Sequence, residues 1–357
     1  MDRQKIALFF VLFLSLPLTT YAIEGNLGSS VIGQGLYAAN QAEMLNKNLS
    51  SQKQTAGPEK EATGLMGAIK GFTKSFKAND GYLDLGLRTG YIYGQNSFDW
   101  DHHTSELEFP FRAYLGGGII NLGYKDFSIN SEFWGSLVDD PSAGWHMKDK
   151  DWTSGKLISD TKSNSSMNAV IWDVNLRYNF FKYSFTRKAA KGEDKKTDNI
   201  KVGVLLGYRY ERFGYKAFGL YQTCGTEAGY GDQQVLEYKV KYRLPYYGLA
   251  VDVGNDKFGI LMNAKYAFNA NAQDLDNHVL HSRTTYGKYE KDPNVFMGNA
   301  VMFWNFTKNW KASMGADVAL IRIDGLSWAE SHDPAYDGDQ SIDTKQFIYW
   351  VGLGYRF

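Results

Sequence analysis

Two short stretches carry most of the chemistry this sequence could perform. Residues 146–152 read HMKDKDW, and residues 274–278 read DLDNH. In extended backbone, residues i and i+2 point to the same side. Asp149 and Asp151 therefore share one face, and Asp274, Asp276 and His278 share another. If the chain brings these faces together, four carboxylates and one imidazole converge. His278 is the one member of the set that exchanges a proton near neutral pH. Asp276 would hold its tautomer and stabilise the imidazolium, as the acid does in a His–Asp pair. A water between His278 and the Asp149/Asp151 pair would be oriented and deprotonated for attack on a carbonyl. Such hydrolysis needs no Ser or Cys nucleophile. Crowded carboxylates raise one another's pKa, so one of the pair can keep a proton. Two other readings fit the same residues. Asp, Asn and Lys are the ordinary composition of solvated loops. Asp149, Asp151, Asp276 and His278 could instead ligate a hard divalent cation. Zinc is disfavoured, because the set holds one His and no Cys.

Whether the two stretches meet depends on the elements that hold them. From residue 81 the chain alternates with a period of two. GYLDLGLRTGYIYG sets Leu83, Leu85 and Leu87 against Asp84, Gly86 and Arg88. IKVGVLLGYRYERF sets Val202, Val204, Leu206, Tyr208 and Tyr210 against Lys201, Gly203, Gly207, Arg209 and Glu211. Apolar residues on one side and small or polar ones on the other make an outer-membrane strand. A soluble sandwich alternates in the same way, and the export signal, aromatic load and strand length favour the barrel. Alternating stretches lie at roughly 81–94, 106–121, 124–137, 166–184, 200–218, 235–253, 257–271, 286–306, 310–325 and 343–357. An even count suits a single-chain bacterial barrel. Several exceed the ~9–11 residues that cross the apolar band, so they project beyond it. Connections near 122–124, 254–256 and 307–309 are tight, whereas 95–105, 138–165, 219–234, 272–285 and 326–342 are long and polar. The charged connection at 185–199 is an exception among the tight ones. HMKDKDW falls in the second long loop and DLDNH in the fourth. Both then stand above one rim, facing across the mouth of a narrow barrel.

The remaining features set the context. Arg3 and Lys5 precede a 13-residue apolar run, and a small residue, Ala22, follows. Residues 1–22 thus read as a cleaved signal peptide, the run being short for an anchor of ~20 residues. Residues 23–80 read as an extension without a legible role. Lys+Arg and Asp+Glu both number 39, so the basic excess of a nucleic-acid binder is missing. Aromatics at 15% with 37 Gly suit a β-rich protein with many lipid–water boundary positions. Cys224 is the single cysteine, so no internal disulfide forms, and it reads as a loop residue without a role.

Four motifs carry a resemblance: MKDKDW at 147–152, DLDNHVLHSRTTY at 274–286, GYRYER at 207–212 and YKVKYRLPYYGL at 238–249. Together they resemble the omptin family of outer-membrane proteases, across residues 81–357. The resemblance implies an all-β, ten-stranded antiparallel transmembrane barrel with its active site at the extracellular mouth. It implies an endopeptidase that cleaves beside or between basic residues through an activated water. Asp149 and Asp151 match the family's aspartate pair, Asp276 and His278 its dyad. Asp274 matches an aspartate in the pocket for the residue before the scissile bond. Tyr208, Arg212 and Lys241 match its lipopolysaccharide-binding positions, and the lipid is implied as an activator. The same three residues share the parity of the apolar, outward faces of their strands. No metal or other cofactor is expected, and the barrel is expected to be a monomer. One departure stands out: Gly94 falls where the family has an acidic residue near the end of the first strand. Asp99, Asp101 and Glu106 are candidate substitutes. The rival reading is a non-catalytic barrel that binds ligands or host surfaces through its loops, as an adhesin does.

Overall fold

The computed structural model describes residues 81–100, 104–138, 146–187, 196–224, 231–330 and 338–357. The expected signal peptide and the extension lie outside the described residues. Twelve strands follow in order: β1 (Gly81–Trp100), β2 (Ser105–Tyr124), β3 (Phe127–Ser136), β4 (His146–Thr153), β5 (Lys156–Arg187), β6 (Lys196–Cys224), β7 (Gln234–Gly254), β8 (Phe258–Ala267), β9 (Asn271–His278), β10 (Arg283–Asn305), β11 (Trp310–Ala329) and β12 (Gly338–Arg356). Every pairing is antiparallel, and β1 pairs with both β2 and β12, so the sheet closes on itself. β3 and β4 succeed one another between β2 and β5, and β8 and β9 do so between β7 and β10. The twelve strands therefore fill ten positions around one ring, the expected ten-stranded barrel.

Outward and inward faces separate as the alternation requires. Leu87, Leu206, Leu249, Met314, Tyr349 and Val351 are all more than half exposed on the outside. On β11 this belt runs from Trp310 to Leu320, close to the ~9–11 residues needed to cross the apolar band. Trp304, Trp310, Tyr178 and Phe127 mark its turn end, and Tyr93, Tyr114, Tyr247 and Phe296 its other end, as aromatic girdles do at lipid–water boundaries. β10 and β11 then continue well past the belt.

Inside, side chains fill the mouth-side half of the lumen, as a narrow barrel demands, while the turn-side half holds a polar-lined cavity of about 910 Å³ bordered by Asp84, Arg177, Asp252 and Lys265. At the upper edge of the belt an ionic layer spans the lumen. Arg209 meets Glu211 at 2.5 Å, Lys265 meets Asp173 at 2.8 Å, and the Tyr246 hydroxyl donates to Asp173. Higher up, Tyr242 and Thr344 both donate to Asn96 Oδ1, at 3.0 and 2.7 Å. An aromatic layer follows. Phe109 stacks on Tyr215 at 4.4 Å and on Tyr238 at 4.9 Å, and Phe98 leans on Tyr238 at 4.4 Å. These layers close the barrel beneath its mouth.

The structure corrects the sequence reading where long loops were expected. Much of 138–165 and 272–285 is strand. β4 and β5 form a hairpin whose tip, Ser154 and Gly155, has positive φ at both residues, the backbone of a tight two-residue turn. β9 and β10 are joined by a single 3-10 turn, Val279–His281. Above the membrane both faces of a strand meet water or polar lumen, so hydrophobic alternation fades although pairing continues. For the same reason Cys224 ends β6 in place of sitting in a loop.

Candidate active site

HMKDKDW is β4, and its alternation is chemical where it is not hydrophobic. Met147 is 2% exposed and points inward, so Asp149 and Asp151 follow it. Lys148 and Lys150 point outward and pair across to Glu108 and Glu106 on β2, at 2.7 and 3.4 Å. DLDNH lies in β9, held between β7 and β10. Asp274, Asp276 and His278 sit opposite Val240, Tyr238 and Leu236 of β7, and these three partners are all buried. The expected faces are therefore inward faces. β4 and β9 lie four positions apart on a ring of ten, nearly opposite each other. Both stand above the apolar belt: on β7, His278 pairs with Leu236, far beyond Tyr247 at the belt's edge.

Within β9, His278 Nε2 meets Asp276 Oδ2 at 2.9 Å. Both side chains are largely covered, at 21% and 17% exposure. Burial alone would lower the His278 pKa, but the Asp276 charge and hydrogen bond outweigh it, and Asp149 adds to them. The imidazole thus holds its proton more tightly than an ordinary histidine. On the opposite wall, Asp149 is pushed up to about 7. Removal from water is the largest cause, followed by the Asp151 charge, while His278 and Arg283 pull it down. Asp149 and His278 each respond to the other's charge, so the two walls share one electrostatic site. Among the described residues, no three His, Cys, Asp or Glu side chains are grouped closely enough to hold a metal ion.

Asp274 joins the same face one step lower, and its position differs in kind. It is 8% exposed. The Tyr238 hydroxyl donates to its Oδ2, as does that of Tyr289 at 2.7 Å. Burial lifts its pKa to about 7, with the two tyrosine hydrogen bonds opposing that rise. The residue is a partnered floor of the site, a role that spacing alone does not reveal.

The first strand supplies a second correction. A Cβ at Gly94 would collide with the Lys345 carbonyl oxygen, and its φ is +141°. No side chain of any charge fits there. Asp99 and Glu106 lie on the outward parity of their strands, whereas the inward positions are taken by Asn96 and Phe98, at 0% and 2% exposure. Asp101 lies outside the described residues. Asn96 is thus the polar lumen residue near the end of β1, and its neutral amide is tied to Tyr242 and Thr344.

Comparison with known proteins agrees with this architecture. The model of the Omptin family matches residues 80–357. The chain belongs to the omptin family. It is 24% identical over 273 residues to Protease 7 of Escherichia coli O157:H7, covering 71% of this chain and 82% of the relative. It is 25% identical over 274 residues to the plasminogen activator of Yersinia pestis, covering 71% and 81%. The crystal structure of the outer membrane protease OmpT from Escherichia coli superposes with a TM-score of 0.63 at 18% identity, over 77% of this chain and 97% of that one. The protein is thus an omptin with an outer-membrane barrel fold.

On the outside of this omptin, β6 and β7 set Arg212 directly opposite Lys241. Lys239 and Arg243 flank Lys241 at the same parity. Tyr208, opposite Pro245, lies four residues closer to the belt. The three residues expected to meet lipid are therefore brought together on one outer patch just above the apolar band.

Proposed function

We propose that this omptin is an endopeptidase whose Asp276–His278 dyad and Asp149/Asp151 pair activate one water between them, at a mouth facing outside the cell. The observation that carries the reading is the 2.9 Å contact from His278 to Asp276 on a wall facing Asp149. With Nε2–H donated to Asp276, Nδ1 is the nitrogen that receives the proton. The water's proton passes to His278 and its oxygen bonds to the scissile carbonyl carbon. The C–N bond then breaks, and His278 returns the proton to the leaving amine. Asp149 and Asp151 hold the water by accepting or, when Asp149 is protonated, donating hydrogen bonds.

Substrates are peptides and proteins, and a preference for basic residues follows from the excess of carboxylates over cations at the mouth. A basic side chain reaching Asp274 would have to exchange with a tyrosine hydroxyl. Tyr208, Arg212 and Lys241 would bind lipopolysaccharide phosphates through charge-assisted hydrogen bonds and so brace β6 and β7 beside the dyad. The working unit is a monomer, because a single barrel supplies every group named. The test is digestion of a diverse peptide library by the purified protein with lipopolysaccharide, read by mass spectrometry. Cleavage is expected, lost by about 10³-fold or more in Asp276→Ala and His278→Ala. Undiminished turnover in both variants removes the dyad.

A further inference from the structure

Attack on a peptide carbonyl places a full negative charge on its oxygen, and this site is already crowded with carboxylates. Oxyanions are commonly met by main-chain N–H groups. Along β4 and β9, which carry the four site residues, that route is closed. β4 is paired on both sides, with β2 over Lys148–Asp151 and with β5 over His146–Thr153. β9 is likewise paired with β7 and β10 along its length. The ladders claim the N–H groups beside all four site residues, and even at the bulge after Asp151 the Trp152 N–H donates to Thr104. On these strands the donor left for an oxyanion is a side chain.

One cation is placed for it. Arg283 opens β10 directly opposite His278 on β9. Directly opposed residues of an antiparallel pair project to the same face, their Cβ atoms about 4.5–5.5 Å apart. The parity holds down the strand. Thr285 opposes Asp276, Gly287 opposes Asp274, and Tyr289, on the same face, donates to Asp274. Arg283 is half-buried, and its pairing with His278 sets it on the inward face. The lysines of β4 face away, paired to Glu106 and Glu108. Its charge also reaches both walls, lowering the proton affinity of Asp149 and of His278.

We infer that Arg283 is the electrophilic residue of the site, donating guanidinium hydrogen bonds to the tetrahedral oxyanion formed next to His278. This rests on the peptidase reading. The carbonyl π pair moves onto oxygen as the water's oxygen bonds to carbon, and Arg283 meets the charge that develops. When the pair returns and the C–N bond breaks, His278 supplies the proton to the amine and Arg283 remains unchanged.

The experiment compares wild type, Arg283→Gln, Arg283→Lys and His278→Ala on one cleaved peptide. The same peptide with a phosphonamidate at the scissile bond serves as tetrahedral inhibitor. Compact migration in SDS before heating reports the folded barrel. Arg283→Gln is expected to lose about 10²–10³-fold in kcat with KM within about threefold. Inhibitor affinity should fall in parallel with kcat/KM, and Arg283→Lys should recover part of both. A rise in KM alone would make Arg283 a substrate-binding residue and overturn the assignment. So would full kcat in Arg283→Gln alongside an inactive His278→Ala, a result that leaves the peptidase reading standing. A wild type that cleaves nothing removes both.

Discussion

The barrel carries two layers of buried charge, and they are built on opposite terms. Near the belt each buried carboxylate has a close donor: Glu211 meets Arg209 at 2.5 Å, Asp173 meets Lys265 at 2.8 Å, Glu132 meets Arg88 at 2.7 Å, and Asp317 accepts from the Trp350 indole at 2.7 Å. At the mouth, Asp149, Asp151, Asp274 and Asp276 outnumber His278 and Arg283. The lower layer is an internal brace in which each carboxylate is held by a cation or an indole N–H. The upper layer holds carboxylates away from water and beside one another, which raises the proton affinity of Asp149 and Asp274, and perturbed groups of this kind gather where chemistry is done. On the proposed function, the same residue types serve stability in one place and reactivity in the other.

Breaking each layer should give opposite signatures. Lys265→Met leaves the buried Asp173 without its closest cation. Removing one partner of a buried pair costs about 3–5 kcal/mol, so the urea midpoint of the folded barrel should fall sharply, while any remaining folded protein keeps its cleavage. A variant as stable as wild type would show that this layer is not the brace.

Asp149→Asn should do the reverse: cleavage is lost and the barrel becomes harder to unfold. The sign follows from linkage. The folded pKa of Asp149, about 7, lies above its unfolded value. The charged form therefore destabilises the fold, with the full cost above about pH 7 and none below the unfolded carboxylate range. At pH 8 the variant should melt a few °C higher, as about 1 kcal/mol gives in a domain of this size. At pH 4 the gain should vanish. A variant that melts lower at pH 8 would refute the claim that burial and the Asp151 charge make the ionised form of Asp149 costly.

Asp274→Asn sharpens the contrast within the mouth itself. An amide oxygen still accepts from Tyr238 and Tyr289, so the floor keeps its shape and loses its charge. If Asp274 serves basic substrates, kcat/KM for Arg- and Lys-containing sites should fall by about 10-fold, with neutral sites unaffected. An unchanged preference in the library digest would assign Asp274 to the floor alone.

How far these features were legible in sequence differs by layer. The belt was readable because lipid outside and small or polar groups inside impose a period of two. Val202 to Tyr210 against Lys201 to Glu211 is such a case. β4 was not readable as a strand, because both its faces are polar. Lys148 and Lys150 look outward to Glu108 and Glu106 while Asp149 and Asp151 look inward, and no hydrophobic signal marks the difference. The i, i+2 spacing of the site residues survived, since it depends only on extended backbone. What required register was invisible. The tyrosine clasp on Asp274 joins three strands, Asn96 takes the inward position beyond Gly94, and Arg283 lies opposite His278 across a turn. Outward parity placed Arg212 and Lys241, but their direct opposition is a fact of pairing.

The claim on which the account turns is that β4 and β9 face one another closely enough for their protons to be coupled. NMR titration of His278 in the folded, lipid-bound barrel tests it, with the other five histidines assigned by substitution. His278 should titrate above an ordinary histidine in wild type, and its pKa should drop in Asp149→Asn, because Asp149 raises it from across the mouth. A His278 titration that Asp149→Asn leaves unmoved, while Asp276→Asn shifts it, would mean the dyad stands alone and the shared site does not exist.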